Sequence, residues 1–369
     1  MKRMAFYLTL GFVGLIAHSS VFAQTFYQYG AQCAKEVTPI PAFSCMAGEK
    51  IPITINGQIT TSFTATCDKP SLLKATDAGA QGQCVPGSRA LVLRDDAKAQ
   101  ISAICRKHVV REPDSPLFDE INIVSHNLTN GKTCWFTAKA AIPYQADRGI
   151  NGARLVPSPS GLPSAAVSSK APRGYELIHP ASETLQPNWR DAWRVEKTTL
   201  PNPAAVWMSP ETLVKREPAC TTCHDSGPFM YSPYIAQTTQ LPGDPFGKYQ
   251  PRAIGQAFKV WPQPFALTTR GNTCTTCHRM GNMNSCAVAS LQATGRKPQE
   301  GGNAWSQEFP QSHWMSPGNL HSRLQWDQAF IKSLNEIVDC CNNSNAAQCQ
   351  KISYEAMTAS PNKRLSKSK

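Results

Sequence analysis

Between residues 50 and 67 apolar and polar positions alternate, with Ile51, Ile53, Ile55, Ile59, Phe63, Ala65 and Cys67 all at odd positions. Alternation with period two sets one side of an extended chain against a core, so it predicts a strand. Asn56-Gly57, inside this run, proposes a hairpin. A two-residue loop would set Ile55 opposite Gln58 and Ile53 opposite Thr60, mixing apolar and polar partners. A three-residue loop over 56–58 restores Ile55 opposite Ile59 and Ile51 opposite Phe63. The expectation is therefore a bulged hairpin, or one long strand bent at Gly57. Further strand signals occupy 90–93, 121–124 and 134–138, the last two separated by the turn signal Asn130-Gly131. Residues 24–155 read as a β-rich domain.

A Pro-, Ser- and Gly-rich run opens the next stretch, and residues 156–200 read as a linker or extended arm. Beyond it the periodicity turns helical in short pieces. Ser209-Pro210 starts a helix that Pro218 stops, and Asn284 or Ser285 caps another running through Val288 and Leu291 to Gly295. The longest covers 322–341, with a capping box of Ser322 and Gln325 and an apolar face of Leu324, Phe330, Ile331, Leu334, Ile337, Val338 and Cys341. The expected fold class is α+β and multi-domain: a disulfide-stapled β-rich N-terminal domain, a mostly α, loop-rich domain over 201–350, and a basic tail over 351–369.

At the start, Lys2 and Arg3 precede an uncharged apolar run over 4–17, and Val21-Phe22-Ala23 offers small residues for cleavage, so 1–23 read as a secretory signal peptide. No second run of that kind follows, which predicts no transmembrane segment after cleavage. With 41% hydrophobic and 17% charged residues, wholesale disorder is excluded, and 29 prolines exclude a long helical bundle. No P-loop or dinucleotide fingerprint is present. The net charge of +12 lies partly in Lys363, Arg364, Lys367 and Lys369, a solvated basic end rather than a nucleic-acid surface. The periplasm is the expected compartment, with secretion or the cell surface as alternatives.

Fourteen cysteines in an exported chain suggest disulfides, but four fall into Cys220-Thr221-Thr222-Cys223-His224 and Cys274-Thr275-Thr276-Cys277-His278. Both are the c-type haem attachment pattern. Two thiols add across the two vinyl groups of one haem, and the adjacent histidine is held beneath the iron. A four-cysteine zinc site would leave both histidines unexplained, and a thioredoxin-like motif needs a βαβ setting that the pattern lacks. The prediction is two covalent haems on Cys220, Cys223, His224 and on Cys274, Cys277, His278. Ten cysteines remain, six before this region and four around it. Cys340 and Cys341 are neighbours and strained as a pair, so a disulfide is expected from Cys286 to one of them.

The second motif, with Met315 and Pro317 downstream and a helix after them, resembles a class I cytochrome c domain over about residues 250–342, departing from it where Pro262 and Pro264 interrupt the chain. The resemblance implies a methionine on the far side of the haem from His278. Met315 is the candidate, with His313 the alternative. For the first haem the distal candidates are Met208 and His179. Met230, Met280 and Met283 lie too close to the motifs, and Phe229, Tyr231, Tyr234, Phe246, Tyr249, Trp261 and Phe265 read as packing aromatics. The tetrapeptide Trp207-Met208-Ser209-Pro210 recurs as Trp314-Met315-Ser316-Pro317, but before one motif and after the other, so tandem duplication is not supported.

These readings converge on an exported dihaem cytochrome that carries electrons between redox partner proteins, its β-rich domain a docking or targeting module. The alternative is a dihaem peroxidase-like oxidoreductase with one open iron. That family keeps its two motifs in separate cytochrome-like domains, whereas here they begin at Cys220 and Cys274. A third reading, a binding or adhesion protein with redox-sensing haems, finds no catalytic or metal constellation in 24–155 to raise it.

Overall fold

In the computed structural model, residues 24–55, 58–62, 84–112, 114–140, 146–153, 156–160, 207–229, 247–286 and 323–354 are described. The leader, the linker beyond residue 160, the helix expected beyond Cys286, and His179, His313 and Met315 lie outside the described residues.

A helix, Phe26–Glu36, that the pattern reading passed over opens the fold. Thr25 and Gln28 cap it reciprocally, each side chain accepting from the other's backbone N–H at 3.2 and 2.9 Å. It buries Phe26, Tyr29, Gly30 and Cys33, an i, i+3, i+4, i+7 stripe. The strands that follow are β1 (Glu49–Lys50), β2 (Ile53–Ile55), β3 (Gln58–Thr60), β4 (Arg89–Asp95), β5 (Ala99–Arg106), β6 (Leu117–Phe118), β7 (Glu120–Asn127), β8 (Thr133–Lys139) and β9 (Ile150–Asn151). An antiparallel five-stranded sheet runs β1-β4-β5-β7-β8. Gly131, with φ 81°, makes the β7–β8 turn at the expected Asn130-Gly131.

The β2–β3 hairpin corrects the expectation. Its register pairs Ile53 with Thr60, Thr54 with Ile59 and Ile55 with Gln58, the pairing of a two-residue connection rather than a three-residue one. Ile53 is buried while Ile59, from the other strand of this separate two-stranded sheet, is 73% exposed, so the ribbon has no shared apolar face for face matching to set its register.

Strand pairing sorts the large sheet into two faces. One carries Ile101, Ala103, Cys105, Ile121, Ile123, Cys134, Phe136 and Ala138, all buried. Helix Phe26–Glu36 is tied to it by the Cys33–Cys134 disulfide, and Cys45–Cys105 ties the next segment to β5. Cys84 is also disulfide-bonded, to a residue outside the described set. The opposite face is polar, with Gln100, Arg106, Glu120, Asn122, His126, Thr133 and Thr137 around Val124 and Trp135. Gln100, Glu120, His126, Thr133 and Thr137 are nevertheless buried, because the chain after residue 206 covers them. Trp207 bridges to Ala138, Met208 N–H donates to the Thr137 carbonyl at 2.9 Å, and Arg216 pairs with Glu120 at 2.8 Å.

One apolar cluster therefore runs from Phe26 and Tyr29 through Trp135 and Phe136 to Trp207, Leu213, Tyr249, Phe258, Trp261 and Tyr354. Residues 156–160 belong to this packing: Val156 is fully buried and bridges to Phe43, and the Ser158 hydroxyl bonds the Ile40 carbonyl. The region expected to be mostly α contains a three-stranded antiparallel sheet, order β11-β10-β12, from β10 (Phe265–Thr269), β11 (Met280–Gly281) and β12 (Cys349–Ser353). Strand β12 and the fully buried Tyr354 replace the start of the expected basic tail.

The helical run over 323–342 is present, but one π-helical turn at Asp327–Ile331 shifts its register. Leu324, expected on the apolar face, is consequently 67% exposed, and Trp326 is buried instead. Among the described residues no helix is long and apolar enough to cross a membrane.

Candidate functional site

Pro218 and the buried Ala219 deliver the chain to a single helical turn, Cys220–Cys223, that lies over the polar face of the large sheet. His224 ends that turn. Its ring meets Trp135 of β8 edge-on at 5.1 Å between centroids, and its carbonyl accepts from the Tyr249 hydroxyl at 2.7 Å. Its Nδ1 stands 2.9 Å from the Pro228 carbonyl oxygen. A carbonyl can only accept, so Nδ1 carries the proton and Nε2 keeps its lone pair, the arrangement found in metal-ligating histidines. Burial pushes the imidazole down to about 4, which keeps it in the neutral, ligating form. Burial likewise pushes the Cys220 thiol up to about 12 and raises that of Cys223. Both are therefore protonated thiols at neutral pH.

Asp225, immediately after His224, is fully buried. Its carboxylate accepts from Met283 N–H at 2.7 Å and from the Ser285 hydroxyl at 2.6 Å, bonds that oppose the burial raising it to about 6. The first motif is thereby joined to the segment that follows the second.

The second motif begins on the turn Cys274–Thr276. Asn272 accepts from the N–H groups of Cys274 and Thr275 at 3.0 and 3.2 Å and donates to the Ser333 carbonyl at 2.8 Å. Thr273 N–H donates to the Ser333 hydroxyl at 3.1 Å, so the turn is docked on helix Lys332–Asn342. Cys274 is buried with Trp326 and Leu334, while Cys277 and His278 are exposed.

All four motif thiols, on Cys220, Cys223, Cys274 and Cys277, are unpaired, whereas every other described cysteine is in a disulfide. In the C-terminal set the pairs are Cys286–Cys341 and Cys340–Cys349, one of the two arrangements expected. The motif thiols do not converge as a zinc cluster would: among the described residues no group of three or more His, Cys, Asp or Glu is placed to hold a metal ion. Met208 packs partly buried against the main core.

Sequence reasoning missed three residues at the first motif. Trp135 sits inside a strand pattern, and nothing local says what covers its face. Asp225 and Tyr354 act through partners distant in sequence. Compared with protein families, curated proteins and solved structures, the chain matches none.

Proposed function

We propose that this chain is an exported dihaem c-type cytochrome that passes electrons between redox partner proteins. The carrying observation is the exemption of the four motif thiols from disulfide formation in a chain whose other described cysteines are all oxidised. Covalent haem attachment needs these thiols free and paired at this spacing, each pair followed by a histidine. The disulfides suit an oxidising compartment, in keeping with the leader.

Cys220, Cys223 and His224 would hold one haem, and Cys274, Cys277 and His278 the other. Haem supplies an iron that gains and loses one electron. The chain's own residues present the ligand: the Pro228 carbonyl selects the His224 tautomer, and Trp135 and Tyr249 fix the residue's ring and backbone. Asn272 and Ser333 shape the second turn. Met315 remains the distal candidate for the second haem with His313 as alternative, and Met208 and His179 those for the first.

The test is covalency. Full-length protein made in cells with haem-maturation machinery should keep two haems per chain through acid-acetone extraction. Cys220→Ala and Cys274→Ala should each weaken retention of one. Extraction of all the haem from the wild type overturns the proposal.

A further inference from the structure

The residues that directly follow the two motif histidines, Asp225 and Arg279, are both buried and both meet Tyr354. The Tyr354 hydroxyl donates to the Asp225 carbonyl at 2.5 Å, and the Arg279 guanidinium lies 4.5 Å from the centre of the Tyr354 ring. Arg279 also donates to the Gly247 carbonyl. On its other side Asp225 is held by the Met283 and Ser285 N–H groups, at 2.7 and 3.1 Å, and by the Ser285 hydroxyl at 2.6 Å. Gly281 lies so close to the Asp225 carboxylate that a Cβ would not fit between them.

These links close on themselves. Cys286, the neighbour of Ser285, is bonded to Cys341, and Cys340 is bonded to Cys349, where β12 begins; β12 ends beside Tyr354. Ser285 and Tyr354, which hold Asp225 from two sides, are thus tied to each other through two disulfides that meet at adjacent cysteines of one helix. A closed circuit of this kind leaves the two motifs little freedom to move independently.

We infer that Tyr354, Asp225 and Ser285 are positioning residues that hold the two attachment motifs in one fixed relative arrangement, so that the two haems form a single coupled pair. This rests on the dihaem reading above. The alternative is that the three residues only stabilise the fold.

The experiment uses full-length haem-loaded protein and two readouts. Denaturing mass spectrometry counts haems per chain, and circular dichroism in the Soret band reports the mutual orientation of the haems through their exciton couplet. The wild type should show a couplet. Tyr354→Phe removes one hydroxyl and keeps the ring under Arg279, and Ser285→Ala removes one donor to Asp225. Both variants should keep two haems yet lose or reshape the couplet, and Ser285→Thr, which restores the hydroxyl, should restore it. Lys351→Ala, on the exposed side of β12, should change nothing. Should Tyr354→Phe fail to fold, the Ser285→Ala and Ser285→Thr pair decides alone.

A two-haem wild type with no couplet, or two-haem variants with the wild-type couplet, overturns the positioning role and leaves the dihaem proposal standing. A wild type with no covalent haem overturns that proposal itself.

Discussion

At the level of single residues, the first motif owes its geometry to groups far from it in sequence. Trp135 is 2% exposed, stands edge-on to His224 and donates from Nε1 to the Pro251 carbonyl at 2.9 Å. Trp135→Ala should lower unfolding free energy by about 3–5 kcal/mol and reduce haem retention at the first motif selectively. Equal loss at both motifs, counted by mass spectrometry of Cys220→Ala and Cys274→Ala backgrounds, would reduce Trp135 to general stability. His126, on the same sheet face, is buried between Phe229 and Tyr249 with its Nδ1 2.9 Å from the Thr133 hydroxyl. Burial, and secondarily the charge of Arg279, pushes its imidazole from 6.5 down to about 3. The unfolded chain takes up this proton on acidification before the fold does, so His126 costs stability as pH falls below 6.5 and nothing above it. Relative to His126→Gln, the wild type should lose about 3 kcal/mol between neutral pH and pH 4. Denaturant melts across that range check this, and parallel curves for the two proteins would contradict it.

Among the elements, those with strong local signals are where the pattern puts them. Strands β4, β7 and β8 contain the apolar runs that announce them, and Ser209 caps the turn Pro210–Leu213. Helix Phe26–Glu36 carried a readable signal in Thr25 and Gln28, as did β5 in the alternation of Ala99, Ile101, Ala103 and Cys105. The hairpin register was not readable from face matching, since Ile59 is exposed and sets no shared apolar face, and no periodicity in the sequence marks the π-helical turn. The helix is anchored to β8 across a sequence separation of 101 residues by Cys33–Cys134. Replacing both cysteines by alanine should cost about 2–5 kcal/mol, because the unfolded chain regains the freedom of a long open loop. Urea midpoints at fixed pH measure it; an unchanged midpoint would mean that packing alone holds the helix.

Over the whole molecule, the sheet's buried polar face joins stretches that lie on either side of residues 161–206 in the sequence. With one apolar cluster running from Phe26 to Tyr354, tryptophan fluorescence and Soret absorbance should report a single coincident unfolding transition of the haem-loaded chain. Two separated transitions would show two independent units. The sequence by itself carries the signal behind the proposed attachment chemistry, because two thiols and a histidine within five residues form a local pattern that needs no distant partner to be recognised. It also gave the expectation that the remaining cysteines would pair, as all the described ones do, and that the N-terminal region would be rich in strands. Only the tertiary structure decided that the sheet's polar face is a buried seat for the first motif rather than a solvated surface. Alternation records which side of a strand is apolar, whereas what covers the other side depends on chain that arrives about a hundred residues later. Tyr354 came to lie between the two motifs for the same reason: its place is set by β12 and two disulfides, and none of those constraints is local.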